Sequence, residues 1–477
     1  MSEYVDALRQ QLEADSDADL ATLDVTTDNA LAVGHDVWRL QWRGETTTAV
    51  AGDANLHTTC GALLDALAMV DFAGPDPAAD RSVVNVLVDR LLPGESPTET
   101  DQALRSMRDA ARGPARIWYR RELGGWVEDH AAAPTWPTGD RRVSDWVDRL
   151  MLPRLTAQPG RLVRALVDAV DDPSLHLYPS EIEKGSTERW AVRLDGLQIG
   201  VVGSTTGKLS IGKPGKRGDR PQRAAFIDVF GQPSVIVTER ADPGMGMLGV
   251  VEAAARIRLL LRRFRAADVR GAPITHRHKA DVPIVDEHTL EARLLKGLTR
   301  LDGVDESLVA DDALVARGSQ FPTLWGHSAD ARYLDALVRR DTTPLAVELK
   351  VATSGRGRNY RRSIIQAVLY RHFIRNAPDL DPWFDAANLD RDAVEGCIGV
   401  PIPTRWTPGF DQTLHSLRRV AARVGVQVHV LDVNRPGFSG GWVLPSAVAG
   451  GRGCDGSAPS RTRWVGRGRW RCGVDRC

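Results

Sequence analysis

From Asp286 to Asn434 the apolar residues fall into a regular succession of helical and extended periods. HTLEARLLKGLTRL spaces Leu290, Leu294, Leu298 and Leu301 along one helical face, with Asp286 as its N-cap. ARYLDALV then reads as a strand, RDTTP as a turn, and LAVELKVAT as a second strand apolar enough to be central in a sheet. NYRRSIIQAVLYRHFIRN returns to a helical period, with Ile364/Val368 and Ile365/Leu369 four apart. A strand (EGCIGVPIP), a helix (PGFDQTLHSLRRVAARVG) and a strand (VQVHVLDVN) follow.

Upstream the pattern is more broken. To about Leu150, strand-like stretches (DVWRLQW, TTTAVAG) mix with stretches read as helical (GALLDALAMV, RSVVNVLVDRLL), interrupted by GPDPAAD and AAPTWPTGD. From about Arg161 to Gly271, RWAVRL-DG-LQIGVVG reads as a hairpin turning on Asp195-Gly196. AAFIDVF and PSVIVTE read as further strands. LGVVEAAARIRLLLRRFRAADV reads as an amphipathic helix with Arg256, Arg258, Arg262, Arg263 and Arg265 off its apolar stripe. Those arginines suit a phosphate backbone and a solvated face equally well. GSTTGKLS is not a phosphate loop: Val202 stands where the first glycine belongs, Leu209 follows Lys208 where a hydroxyl is needed, and no helix follows.

Length and charge refine this picture. A chain of 477 residues exceeds one ordinary core. The expected organisation is an acidic α+β domain over 1–155, a hairpin-containing region over 160–272, an α/β domain over 283–446, and a disordered Gly/Arg-rich tail over 447–477. The net charge is zero, yet the first hundred residues carry 18 acidic against 5 basic side chains, while Lys208 to Arg300 has a basic excess. A neutral total therefore does not exclude nucleic acid. Five scattered cysteines make no disulfide framework. The acidic amphipathic start is no export signal, and no apolar run is long enough to span a bilayer, so a cytoplasmic protein with no membrane partner is expected. His276 and His278 in THRHK read as a solvated turn.

The candidate chemistry lies in the third region. Glu348 and Lys350 are two apart on a strand, so both emerge on one face. Asp335 falls within the neighbouring strand, where a carboxylate among apolar residues is costly unless something binds it. A hairpin through Asp341–Pro344 would bring Asp335 and Glu348 together as a hard-oxygen pair suited to Mg²⁺, or Mn²⁺ in its stead.

These residues resemble the PD-(D/E)xK nuclease superfamily: Asp335 in its strand, then Val347, Glu348, Leu349 and Lys350, then a helix on which Gln366 and Tyr370 match the QxxxY feature of the RecB-like branch. The resemblance implies a restriction-endonuclease-like fold, a central mixed sheet flanked by helices. It implies that Asp335 and Glu348 hold the metal, aided by the carbonyl after the glutamate, and that Lys350 positions or activates the attacking water. The resemblance further implies that Gln366 and Tyr370 line the site and that Glu291 supplies a further acidic residue, with Glu287 competing for that role. Arg356, Arg358, Arg361, Arg362 and Arg371 surround the motif, the first four as candidate phosphate contacts. Leu334 stands where the family has its proline, and Asp330 is a weaker alternative to Asp335. The expected activity is Mg²⁺-dependent endonuclease hydrolysis of phosphodiester bonds in DNA. The alternative is a catalytically inactive nucleic-acid-binding or assembly protein on the same fold. The resemblance also admits a homodimer, and the acidic first region admits a protein partner.

Overall fold

Three runs of extended sequence build three separate β-sheets in the computed structural model. It describes residues 37–70, 83–122, 124–141, 143, 158–172, 175–179, 189–194, 197–203, 209–212, 226–242, 246–265, 287, 290, 291, 294, 301, 306–307, 319–323, 332–350, 357–401 and 408–431. The tail expected to be disordered, 447–477, lies outside them. The architecture is mixed α/β, three sheets flanked by helices.

The first sheet runs β1 (Val37–Trp42), β2 (Glu45–Ala51), β3 (Val84–Leu91), β4 (Ala115–Arg120) and β5 (Trp126–Glu128) in spatial order. β2, β3 and β4 are parallel and the outer pairs antiparallel. The parallel steps are made by helices α1 (Leu56–Met69) and α2 (Glu99–Ala110). Asn55 caps α1, and a reciprocal box between Thr98 and Asp101 caps α2, which satisfies donors the first turns leave free. RSVVNVLVDRLL, expected to be helical, is strand β3: Val84, Val86 and Val88 alternate into the core, as β-branched residues on a pleated surface do.

The second sheet joins β6 (Leu175–Pro179), β7 (Arg189–Leu194), β8 (Leu197–Gly203), β9 (Leu209–Gly212), β10 (Ser234–Thr238) and β11 (Met247–Gly249) side by side. β7 and β8 form the expected hairpin, although its turn at 195–196 lies outside the described residues. GSTTGKLS joins two antiparallel strands, β8 and β9. α3 (Gln158–Val170) and α4 (Val250–Arg265) cover the sheet. AAFIDVF, expected to be a strand, is helical over 226–230, and Phe226 stacks on Phe230 with ring centroids 4.4 Å apart. The buried positions Phe226, Val229 and Phe230 follow an i, i+3, i+4 spacing, not alternation.

The third sheet has β12 (Glu306–Ser307), β14 (Arg332–Arg340), β15 (Thr343–Leu349), β16 (Glu395–Pro401) and β17 (Val426–Leu431) in order, with β13 (Ser319–Thr323) also pairing β14. β14 and β15 are antiparallel, whereas β15, β16 and β17 are parallel. α5 (Gly357–Asn376) makes the crossover from β15 to β16, assisted by the short α6 (Asp381–Ala386), and α7 (Pro408–Arg423) leads to β17. None of the helices among the described residues is long and apolar enough to cross a membrane.

The first and third sheets share one hydrophobic core. Leu63, Leu67, Val86 and Leu104 belong to the same buried cluster as Leu337, Ile364, Val368, Phe373 and Ile398. α5 lies between them, touching α1 and α2 on one side and β15 and β16 on the other. That explains why its apolar residues surround the helix instead of forming one stripe. The second sheet keeps its own core of Leu166, Phe226, Val237, Ile257 and Leu261.

Candidate metal and catalytic site

The hairpin β14–β15 positions the acidic pair. Its two-residue turn carries Asp341 at φ +54°, a left-handed conformation that aspartate tolerates. Ala336 pairs with Val347 across the hairpin, so the next step outward sets Asp335 opposite Glu348, on one face. The backbone N–H of Leu349 donates to Oδ2 of Asp335 at 2.8 Å. Beyond Leu349 the strand ends, and the side chain of Lys350 turns back. Its ammonium donates to Oε1 of Glu348 at 2.6 Å and to the carbonyl of Leu349 at 2.9 Å.

Two further carboxylates come from the helical positions Glu287 and Glu291, with Leu290 and Leu294 packed beneath the sheet's other face. Glu287 Oε1 lies 3.4 Å from the Lys350 ammonium. Glu291 is buried and near enough to Asp335 to repel its negative charge. Both claimants for the additional acidic position are therefore at the site, one on the lysine and one on the aspartate.

The crowding shows in proton affinities. Burial pushes the Asp335 carboxyl well above the usual carboxylate range, and Glu348 adds to the rise; Lys350 opposes it, Glu291 raises it further, and the Leu349 N–H lowers it. Glu348 is also raised, by burial first, against the pull of Lys350 and of Arg362. Burial works to discharge Lys350, but Glu348, Asp335 and Glu287 together hold its affinity above that of an ordinary lysine. The site thus concentrates more negative charge than one ammonium compensates.

Glu348 carries the clearest sign of an unmet demand. Oε1 is bound to Lys350, while Oε2 is buried without a hydrogen-bond partner among the described residues. A buried carboxylate oxygen in that state costs several kcal/mol of lost solvation, on the order of 1–3 or more. No group of three or more His, Cys, Asp or Glu that could hold a metal forms among the described residues. The donor set is two carboxylates, and that fits Mg²⁺, which keeps several of its waters and binds through one or two carboxylates.

Gln366 and Tyr370 lie one turn apart on α5, and the Gln366 amide donates to the Tyr370 hydroxyl at 3.1 Å. Oε1 of Gln366 is buried without a hydrogen-bond partner among the described residues. α5 packs on β15, the strand that carries Glu348. Arg362 is exposed and acts electrostatically on Glu348.

Arg361, expected among the phosphate contacts, faces the other way. It is 3% exposed, and its guanidinium binds Asp65 on α1, with Nη1 donating to Oδ2 at 2.9 Å. Arg39 on β1 donates to the other oxygen of Asp65 at 3.1 Å. Arg361 therefore ties the first sheet's helix to α5. Arg371 likewise turns from the site and donates to the carbonyls of Gly425 and Val424 at 2.6 and 3.0 Å. Arg356 and the side chain of Arg358 lie outside the described residues, as does Asp330. Of the arginines on α4, Arg256 is bound to Glu252 and the Phe230 carbonyl, and Arg258 to the Ala169 carbonyl. Those two serve packing within the second sheet's layer.

No family model, curated protein or solved structure matches this chain. The residue that local reading missed is Asp65. Its signal was a lone acidic residue inside the apolar run GALLDALAMV, which demands a buried cation.

Proposed function

We propose that the chain is a metal-dependent nuclease that hydrolyses phosphodiester bonds in DNA, built on a restriction-endonuclease-like domain over the third sheet. The observation that carries this reading is the buried, unpartnered Oε2 of Glu348 beside the raised carboxyl of Asp335. Such a pair is stabilised by a divalent cation more than by any contact the chain provides. Mg²⁺, or Mn²⁺, held by Asp335 and Glu348 would lower the pKa of a bound water and neutralise charge on the scissile phosphate.

The remaining roles belong to the chain's own side chains. Lys350, kept protonated by three carboxylates, acts as a charged donor toward a phosphate or water and not as a proton acceptor. Glu287 holds the lysine, while Glu291 adds negative charge beside Asp335 and so strengthens the pull on a cation. Arg362 is an exposed cation suited to an approaching backbone, and Gln366 offers an amide oxygen with no partner among the described residues on the same helix.

The test is cleavage of plasmid and single-stranded DNA by the full chain with Mg²⁺, with chelator, and with Lys350→Ala. Cleavage that requires metal and Lys350 is expected. DNA binding that persists with no Lys350-dependent cleavage would instead establish the catalytically inactive nucleic-acid-binding module.

A further inference from the structure

At the opposite end of the third sheet a cavity of about 690 Å³ opens among the end of α2, the second half of α5, α7 and the starts of β16 and β17. The strand register sets its distance from the carboxylates. Glu395, on its wall, is level with Leu345, three residues before Glu348 on β15, or about 10 Å at the rise of a strand. This is a separate site.

Four arginines line it: Arg112, Arg371, Arg375 and Arg418. Its two carboxylates are already engaged. Glu395 is paired with Arg340 at 2.8 Å and accepts from Gln427 at 2.5 Å, while Asp109 is held by Arg108 at 3.0 Å. Arg112, Arg371 and Arg375 have no carboxylate partner among the described residues. The crowding is felt by Arg371, whose affinity for its proton falls to about 10 through burial and the repulsion of Arg375 and Arg112.

There is a competing demand on this charge. α2 and α7 end at its wall, where Ala110 and Ala422 in their last turns line it, and each such end carries about half a negative charge. Arg371 answers that demand at α7 by binding the Val424 and Gly425 carbonyls. Two helix ends offset fewer charges than Arg112, Arg371 and Arg375 supply, so a net positive, partly desolvated cavity remains.

We propose that this cavity binds a phosphate group, held by the exposed Arg112 and Arg375 with Arg371 and Arg418 behind them. Guanidinium forks match phosphate oxygens two at a time, and in a partly buried cavity such bonds are strengthened. The group belongs either to a small phosphorylated ligand or to a nucleic-acid backbone.

The test is calorimetric titration of the metal-free full chain with inorganic pyrophosphate at low salt, beside the double variants Arg112→Glu/Arg375→Glu and Arg112→Gln/Arg375→Gln. Both substituted residues are exposed, and circular dichroism checks that the variants fold. Binding that weakens by ~tenfold or more in both variants is expected, since two charge-assisted contacts are lost. Absence of binding, or equal affinity in wild type and variants, overturns the proposal. In the wild type, an oligothymidylate that displaces pyrophosphate identifies a nucleic-acid backbone as the occupant; one that does not identifies a small phosphorylated ligand. Neither arm depends on cleavage, so the cavity and the carboxylate site fail or succeed separately.

Discussion

The N–H of Leu349 and Oδ2 of Asp335 meet at 2.8 Å across the β14–β15 hairpin. A backbone donor that pairs with neighbouring strands elsewhere along β15 is here spent on a carboxylate. The aspartate is thereby held level with Glu348, and the repulsion between the two is built into the sheet.

That repulsion gives a pH signature. The Asp335 carboxyl is raised in the folded chain, so its contribution to stability is fully present below the unfolded pKa of about 4 and is lost as pH rises through the folded value. Asp335→Asn removes the loss. Thermal unfolding should show the variant gaining stability over wild type at pH 7–8, with the gap closing below about pH 4. A gap independent of pH would contradict the assignment of the raised group.

A divalent cation should relieve the same strain. For a site filled at about ten times its Kd, mass action adds ~1.4 kcal/mol. Mg²⁺ titrated into the wild type should raise the unfolding temperature, and the rise should vanish in Glu348→Gln. Equal responses in both proteins would place the cation elsewhere.

Neighbouring arginines should behave oppositely. Arg361→Met leaves Asp65, among the described residues, with Arg39 alone, so it should cost about 3–5 kcal/mol, the scale for breaking a buried pair. Arg362→Ala, at an exposed position, should leave stability within about 0.5 kcal/mol. It should weaken DNA binding and lower the salt dependence by roughly one charge. Chemical denaturation and binding titrated against salt separate the two.

Gly425 closes α7 at φ +64°, and a Cβ there would meet Arg371 Nη1 at 2.9 Å. Gly425→Ala should therefore destabilise by about 1 kcal/mol or more, from the left-handed backbone and the displaced guanidinium together. Denaturant titration measures it. An unchanged midpoint would mean that the helix end tolerates another geometry.

Much of the third sheet was legible in the sequence, because alternation at Glu348 and Lys350 and the i,i+4 pair Gln366/Tyr370 are local signals that later packing did not alter. β3 was misread for a physical reason. RSVVNVLVDRLL has apolar residues on every side, so period alone cannot separate a buried strand from a buried helix; the run of valines was the deciding cue. AAFIDVF erred in the opposite sense, its helical spacing at Phe226, Val229 and Phe230 being only one turn long. The pairing of Arg361 with Asp65 joins positions 296 residues apart, and no local pattern encodes it. The charge on Arg361 was visible, but its partner was not.

The core shared by α1, α2 and α5 also constrains how the chain is made. Val86 and Leu104 cannot find Ile364 and Phe373 until about 270 further residues have left the ribosome. At about 5–20 residues per second that is a wait of roughly 15–60 s. During that interval the first sheet stands with one side of its helices bare, while the second sheet, closing its own core in between, has no such delay. The opening third of the protein is therefore the part most dependent on chaperone cover during synthesis, and truncation before α5 should turn it into an aggregating fragment.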